Sequence, residues 1–323
     1  MSPAIELSGV VKRYGDFEAV SGVDLHVPTG ATYGLLGPNG AGKTTCIRML
    51  LAIIEPTAGE VRVLGQPVSK EVLDRVGYLP EERGVYRKMT VRRLLRFLAE
   101  LKGLSSRESA PRIDRWLERF EMEEWRDARL EELSKGMQQK IQFISTVLHE
   151  PDVVILDEPF SGLDPINQRV LREIIRDLRT EGRTIVFSTH IIEHAERMCD
   201  HVSIIARGRN VVSGSVQQVR TEHGERYVSV ATMDGSDLGG FLGSSPLVAS
   251  VRSPAGPGEG SRGEHEVTLA ASASPSDLLD ALMAQRVALR RFELVEPSLE
   301  QVFIERVGTE AEPAGEAQEV VHV

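Results

Sequence analysis

The segment GPNGAGKTT, residues 37–45, constrains the fold of this chain more than any other stretch of its sequence. It matches the pattern G-x-x-x-x-G-K-S/T in full, between a strand-like run, TYGLL, and a helical run, TTCIRMLLAI. Glycines let backbone N–H groups curl round phosphate oxygens, and the following helix turns its positive end towards the anion. Because both flanking elements are in place, the segment predicts a nucleoside triphosphate site at a strand-to-helix turn.

The loop also predicts individual contacts to the triphosphate. Lys43 is expected to reach the β- and γ-phosphates, and the Thr44 hydroxyl is expected to ligate Mg²⁺. The other positions of the loop that we expect to contact the nucleotide are Gly37, Asn39, Gly40, Gly42 and Thr45. A loop of this kind by itself indicates only that a nucleoside triphosphate binds.

Strand-like and helix-like stretches alternate over about the first 220 residues. The runs TYGLLG, DVVILD and TIVFST are nearly all apolar, as strands covered on both faces of a parallel sheet are. Between them, PINQRVLREIIRDLRTEG has apolar residues at helical spacing. IELSGVVKRY alternates apolar and polar side chains, which suits an antiparallel strand. We predict an α/β fold with a largely parallel sheet and an antiparallel β subdomain.

Composition and periodicity divide the chain further. VRRLLRFLAELKG and RIDRWLERFEM follow each other without a strand between them, which predicts a helical subdomain inserted at about residues 90–135. We assign residues 1–220 to the α/β domain and residues 221–308 to a small α+β domain, with a disordered acidic tail at residues 309–323. Residues 231–263 are rich in Gly, Ser and Pro and predict turns and a mobile loop, flanked and interrupted by strand candidates.

Charge, hydropathy and cysteine content exclude several classes of function. The formal net charge of −10 argues against non-specific nucleic-acid binding, which basic surfaces drive. No apolar run approaches the roughly 20 residues of a membrane-spanning helix, so we expect a membrane role to come through a partner. Cys46 and Cys199 are too few for a disulfide framework or a four-thiolate metal site, and a reducing cytoplasm fits. No metal other than Mg²⁺ is expected.

A second group of motifs stands in the later half of this region. VVILDEP ends an apolar strand in adjacent carboxylates, Asp157 and Glu158, of which one can hold Mg²⁺ and the next can deprotonate the attacking water. By itself this pair could be a charge cluster at a helix N-terminus. It has companions, however: LSKGMQQK at 133–140, SGLD at 161–164 and STH at 188–190.

These motifs, in this order after the phosphate-binding loop, resemble those of the ABC ATPases over about the first 220 residues. The resemblance implies that Asp157 positions Mg²⁺, that Glu158 is the catalytic base and that His190 contacts the γ-phosphate of ATP. Tyr14 resembles the aromatic residue that stacks on adenine. Tyr14 could alternatively pack into the core as a strand residue, and Phe17 could take its place on the base.

The resemblance also implies a dimer. Ser134 and Gly136 belong to the signature segment, which in this family serves the nucleotide of a second subunit, and Asp164 would couple the two sites. Either two copies of this chain or this chain and a paralogue could form the pair. The usual signature begins LSGGQ, so Lys135 and Met137 depart from it. Glu81 departs too, because a glutamine that senses Mg²⁺ and water commonly stands there. Mg²⁺ or Arg83 would have to offset its charge, so Glu81 is expected either to ligate the metal or to stay back from the phosphate until the dimer closes.

Rival members of the family are disfavoured by the sequence. Lys43 and Ser134 are only 91 positions apart, too few for the long coiled coils of DNA-repair members. Zinc modules and a second cassette are also missing, which leaves a single-cassette transporter subunit. The resemblance implies that such a subunit works on the cytoplasmic face of the membrane with a separately encoded transmembrane permease. The runs VGYLPEERGVYRKMTV and PSLEQVFI resemble bacterial ATPases of sodium, drug or polysaccharide exporters.

Several points about function stay open from the sequence alone. The runner-up is a soluble regulatory ABC ATPase that acts on a non-membrane partner. A non-hydrolysing module is disfavoured, because the residues expected to act on ATP are all present. The C-terminal domain is expected to aid dimerisation or regulation, but it could also be a passive appendage. Phe303 and Ile304 are its expected packing residues. The transported substrate cannot be read from this chain, since its contacts would lie in the permease.

Overall fold

The structure, a computed structural model, describes residues 3–81, 86–222, 226–252 and 263–308. The chain divides between Ser215 and Val216 into two compact units. This boundary lies slightly before Arg220, where the shift in composition had placed it. The predicted acidic tail, residues 309–323, lies outside the described residues. Within the described ranges, no helix combines the length and the apolar character that crossing a bilayer requires.

The first unit contains most of the strands and helices. Its strands are β1 (Ile5–Tyr14), β2 (Phe17–Val27), β3 (Thr32–Leu36), β4 (Ala58–Val63), β5 (Gln66–Pro67), β6 (Val76–Leu79), β7 (Val153–Asp157), β8 (Thr184–Thr189), β9 (His201–Ala206) and β10 (Arg209–Ser215). Its helices are α1 (Lys43–Leu50), α2 (Lys70–Leu73), α3 (Val91–Leu101), α4 (Ser106–Arg119), α5 (Lys135–Val147), α6 (Pro165–Thr180) and α7 (Ile192–Met198), with 3₁₀ turns at Glu123–Trp125 and Leu130–Glu132.

A six-stranded sheet forms the centre of this unit, in the order β10-β9-β3-β8-β7-β6. Strands β9, β3, β8, β7 and β6 run parallel, and only β10 pairs antiparallel, with β9. Every residue of β3, β7 and β8 is buried, because helices or the second sheet cover both faces. The predicted parallel α/β core is confirmed, and the carboxyl ends of β3, β7 and β8 meet at one edge.

An antiparallel sheet and a helical layer complete the unit. The sheet has the order β2-β1-β4-β5, so the predicted antiparallel strand and its subdomain are confirmed. Helices α3, α4 and α5 form the inserted helical layer. The Phe120 ring packs against Trp116 and Phe143, with ring centroids 6.2 Å and 5.8 Å away, which fixes α4 on α5.

The second unit is a small α+β domain, as predicted. Its elements are α8 (Val216–Glu222), β11 (Tyr227–Thr232), α9 (Gly239–Ser244), β12 (Val248–Arg252), β13 (Glu264–Leu269), α10 (Pro275–Ala284), β14 (Leu289–Leu294) and α11 (Leu299–Gly308). The strands pair antiparallel in the order β12-β13-β11-β14. From β11 to β14 the succession β-α-β-β-α-β with this order has the topology of ferredoxin-like domains.

Two details of this unit differ from the sequence-based expectations. The described part of residues 231–263 contains α9, which was expected to be loop. Leu238 and Leu242, four positions apart, are buried against the sheet, and that packing offsets the low helix propensity of the neighbouring glycines. In α11 the fully buried residues are Leu299 and Val302, whereas Ile304 is 54% exposed, so the expectation that Ile304 packs was wrong.

The register of α11 makes a stability prediction. Val302→Ala should lower the free energy of unfolding of this unit by about 2 kcal/mol, because it empties part of a fully buried site. Ile304→Ala removes more atoms but should cost less than about 0.5 kcal/mol, since its side chain is largely in solvent. Urea unfolding of the full chain, followed by circular dichroism, measures both. Equal losses, or a larger one for Ile304→Ala, would refute this register.

Candidate functional site

The phosphate-binding loop lies between β3 and α1 and has the conformation that its glycines predict. Gly37 and Gly42 adopt positive φ angles of 152° and 105°. A Cβ atom at Gly37 would lie 2.2 Å from the carbonyl oxygen of Ile205, and one at Gly42 would lie 2.7 Å from that of Ala19. Gly42 also caps α1 without a side chain, so the first N–H groups of the helix are left for an anion.

Replacing glycines in this loop should have sharply different effects. Gly37→Ala is expected to destabilise the chain by about 3 kcal/mol and to abolish ATP binding, because the new methyl group meets backbone that cannot move aside. Gly40 also has positive φ, but a Cβ there meets nothing within 4 Å. Gly40→Ala should therefore cost only about 1 kcal/mol. Thermal unfolding and calorimetric titration with ATP would separate the two variants, and matching losses would contradict the geometry.

The carboxylates Asp157 and Glu158 lie where β7 ends, and both are buried. The Ser188 hydroxyl, on the neighbouring β8, donates to Asp157 Oδ1. The backbone N–H of Glu158 donates to the carbonyl oxygen of Ser188 over 3.2 Å, and Glu158 has a left-handed φ of 47°. Strain of this kind is retained where the surrounding structure fixes the residue, as it commonly does at functional sites. Sequence reasoning quoted Ser188 within STH but gave it no role.

Glu158 and His190, predicted separately from two motifs, are direct partners. Glu158 Oε1 accepts from the backbone N–H of His190 over 3.1 Å and lies 2.9 Å from its ring Nδ1. Thr189 Oγ1 donates to the other carboxylate oxygen over 3.4 Å. The carboxylate oxygen is the acceptor of this contact and Nδ1 is its donor, so Nε2 of the half-exposed ring is left for another group.

Lys43 supplies the positive charge of this cluster. Its Nζ donates to the carbonyl oxygen of Gly37 over 2.7 Å, and the side chain is buried. Burial lowers the pKa of Lys43, and the negative charges of Glu158, Asp157 and Glu81 oppose that shift. The four ionisable groups therefore share one electrostatic environment beside the loop. An arriving phosphate can replace the loop carbonyl as the partner of the ammonium group.

The donor set beside Lys43 fits a magnesium ion. Asp157 Oδ2 is buried and has no hydrogen-bond partner, although such an atom is costly to bury unpaired. Burial raises the pKa of Asp157, and hydrogen bonds from Ser188 and Thr44 oppose the shift. Carboxylate and hydroxyl oxygens are the ligands that Mg²⁺ prefers, completed by phosphate and water. The described residues contain no cluster of three or more His, Cys, Asp or Glu side chains suited to a metal.

The signature residues stand at the start of helix α5. The exposed Ser134 is the N-cap, and its Oγ accepts from the backbone N–H of Met137 over 3.3 Å. Gly136 follows in the first turn. Asp164 caps α6 in the same way, and the hydrogen bond from the Asn167 N–H lowers the pKa of its carboxyl group. The positive end of α5 is thus open to solvent. Its contact with the nucleotide bound to a second chain stays a prediction.

The aromatic candidates for the base lie on the β1–β2 hairpin. Tyr14 and Phe17 are paired across its turn, and both are exposed, so packing of Tyr14 into the core is excluded. The Lys12 ammonium group lies 5.1 Å from the centroid of the Tyr14 ring. Stacking of either ring on adenine stays a prediction. Glu81 is exposed, and Arg83, which was considered as its counter-charge, lies outside the described residues.

A phosphate-binding loop, a buried strand-end carboxylate pair and a strand-end histidine on one parallel sheet define a nucleoside triphosphatase. Comparisons with known proteins narrow the class. Residues 20–161 match the ABC transporter family, and residues 214–307 match the C-terminal domain of DrrA1-3-like ATP-binding proteins. An uncharacterized ABC transporter ATP-binding protein of Bacillus subtilis, YhaQ, is 42% identical over 94% of this chain and 98% of its own length.

Other relatives agree with this match. The Nod factor export ATP-binding protein I of Rhizobium sp. (strain N33) is 35% identical over 96% of this chain and 98% of its own length. The solved structure of an ATP-binding subunit of an ABC transporter is 32% identical, covers 68% of this chain and 93% of that one, and superposes with a TM-score of 0.65. This chain therefore belongs to the family of ABC transporter ATP-binding proteins, and it is an ATPase.

Proposed function

We propose that this chain drives an exporter by binding and hydrolysing ATP on the cytoplasmic face of the membrane, where it docks onto a separately encoded permease. Export is supported by the similarity to the Nod factor export protein over nearly the whole chain. Docking is supported by an apolar groove whose rim exposes large apolar side chains. ATP binding and hydrolysis themselves follow from the family.

An apolar groove of about 360 Å³ opens between the helical layer and the β6 edge of the sheet. Its rim exposes large apolar side chains, Ile53 at 58% and Leu101 at 63%. Tyr78 also lines it. Tyr78 lies on β6, and Glu81 follows two residues after that strand ends, so the lining of the groove is close in sequence to a residue expected at the ATP site. Exposed apolar surface of this kind marks an interaction site. A cytoplasmic segment of a permease is the occupant that fits an ATPase of this family.

In hydrolysis, each site residue of this chain would have a separate role. Lys43 and the first N–H groups of α1 would hold the triphosphate, and an N–H at His190 Nε2 would donate to the γ-phosphate. Glu158, held by the His190 ring, would accept the proton of the attacking water. Mg²⁺, held by Thr44 and Asp157, would neutralise charge on the phosphates.

Two chains would enclose each nucleotide. The N-terminus of α5, capped by Ser134, would face the γ-phosphate bound to the other chain. Closure on ATP would move the helical layers and, through the groove, the permease. Loss of the γ-phosphate would remove the bridge and let the pair reopen.

Glu81→Gln tests whether Glu81, which follows the strand that lines the groove, senses the bound nucleotide. Since a carboxylate near the γ-phosphate repels it, Glu81→Gln should raise the affinity for ATP measured in EDTA by about tenfold. Turnover with Mg²⁺ should change at the same time. Glu60→Gln, on β4, is the control that removes another exposed negative charge. Affinity and turnover that match the wild type would exclude a sensing role for Glu81.

Co-purification from native membranes tests the partner. Tagged chain should bring down a multi-helix membrane protein in stoichiometric amount, identified by mass spectrometry. Ile53→Asp should abolish this capture without lowering basal ATP turnover, whereas Ile304→Asp, a change at a similarly exposed site, should not. Capture of soluble proteins only, by a preparation that hydrolyses ATP, would favour the regulatory ATPase instead.

A further inference from the structure

A basic and aromatic surface adjoins the groove on helix α3. The run YRKMTVRRLLRFLAE, residues 86–100, contains five basic residues and one acidic residue, Glu100, in a chain with a formal net charge of −10. Positive charge is therefore concentrated where the chain as a whole is negative. We define the basic–aromatic patch as Tyr86, Arg87, Lys88, Arg93, Arg96 and Phe97.

Most side chains of this patch are exposed, and Phe97 is half-buried. Val91, Leu94, Leu95 and Ala99 form the buried face of α3, so Arg93, Arg96 and Phe97 occupy the opposite face. The ring of Tyr86, 49% exposed, contacts the Phe97 ring edge-on with centroids 5.6 Å apart. This contact brings the segment that carries Arg87 and Lys88 beside the exposed face of α3.

The charges of the patch are not neutralised within the described part of the chain. Arg92 lies 3.7 Å from Asp127, but Arg87, Lys88, Arg93 and Arg96 have no carboxylate within 4 Å among the described residues. The backbone beneath them is fixed: Val91 and Arg92 donate to the carbonyls of Ala128 and Arg126 over 3.0 Å and 2.9 Å. Among the residues that the structure describes, the patch is therefore a surface whose positive charge no carboxylate pairs.

A second basic surface on this unit has a different character. Arg169, Arg172, Arg176 and Arg179 follow one side of α6, but Arg169 pairs with Glu173 and Arg179 with Asp200. The cavity that these arginines line contains no aromatic side chain. The patch on α3 thus differs from an ordinary solvated row of arginines in its unpaired charge and in its exposed ring.

We infer that the basic–aromatic patch binds the anionic phospholipid headgroups of the membrane directly. Lys and Arg are attracted to an anionic leaflet, and aromatic rings beside them enter the headgroup region. Leu101, on the exposed side of α3, belongs to the rim of the apolar groove, so lipid and permease would be met by adjoining surfaces. The inference goes beyond the proposed function, because lipid binding requires no permease.

Co-sedimentation of the full chain with protein-free vesicles tests this inference. Vesicles of phosphatidylcholine mixed with phosphatidylglycerol should bind the wild type, and vesicles of phosphatidylcholine alone should not. Each basic side chain near an anionic surface contributes about fivefold to binding, so replacing Arg87, Lys88, Arg93 and Arg96 with glutamine should weaken it at least about a hundredfold. Tyr86→Ala should weaken it less, and ATP turnover should be unchanged in both.

The matched control removes the same number of charges from α6, by replacing Arg169, Arg172, Arg176 and Arg179 with glutamine, and should retain binding. As a check that needs no variant, raising the ionic strength should release the wild type from the vesicles. Three results would overturn the inference. The wild type could show no preference for anionic vesicles, or the α6 control could lose binding equally. Third, the wild type could fail to bind vesicles while the patch variant loses capture of the permease. The last would identify an acidic surface of the permease as the partner.

Discussion

Glu158→Gln should lower the ATP turnover of this chain by about a thousandfold, because the amide cannot accept a proton from the attacking water. The change keeps the size of the side chain, and its amide oxygen can still accept from the backbone N–H of His190. ATP should therefore still bind, and the bound form should accumulate. We expect Glu158→Gln with Mg·ATP to elute as a dimer in size-exclusion chromatography, where the wild type returns to a monomer.

Release of phosphate in single-turnover assays measures the chemical step, and a filter-binding assay measures retention of ATP. Glu173→Gln, an exposed change on α6, serves as the control and should have wild-type turnover. Turnover of Glu158→Gln near that of the control would show that another group accepts the proton.

Lys43→Met should weaken the binding of ATP by on the order of a hundredfold, because it removes a charged donor to the phosphates. The methionine keeps the length of the side chain. It also leaves Asp157 and Glu158 without their positive neighbour, so electrostatic repulsion of the triphosphate should increase. The loss should be larger for ATP than for AMP, which lacks the phosphates that Lys43 is expected to reach.

Isothermal titration calorimetry with both nucleotides measures this difference. The control is Lys70→Met, which removes an exposed lysine that pairs with Asp74. If Lys43→Met bound ATP as the control does, the ammonium group would have no role beyond its hydrogen bonds to the loop.

Much of this fold follows from local sequence. The runs of β3, β7 and β8 are apolar throughout, and they end at the phosphate-binding loop, at Asp157 and at the residue before His190. Since the carboxyl ends of parallel strands meet at one edge, that pattern alone brings the predicted residues together. The phosphate-binding conformation at Gly37 and Gly42 could be predicted from the sequence, because only glycine tolerates it.

Other features depend on tertiary contacts that no pattern contains. The role of Ser188 follows from the pairing of β7 with β8, which places its hydroxyl beside Asp157. The pairing of Glu158 with His190 depends on a left-handed turn at a residue that is not glycine. Whether Val302 or Ile304 is buried depends on how α11 is rotated about its own axis. A short amphipathic run does not determine that rotation.

The claim that ATP is enclosed between two chains is tested most directly at Ser134, in the Glu158→Gln background. Ser134→Asp keeps an oxygen that caps α5 but sets a negative charge against the nucleotide of the other chain, and Ser134→Asn keeps the cap without the charge. Sedimentation velocity with Mg·ATP should find the Asp variant monomeric and the Asn variant dimeric, and the monomeric Asp variant should still bind ATP. A dimer with Asp at this position, or the loss of ATP binding by its monomer, would contradict an enclosed nucleotide.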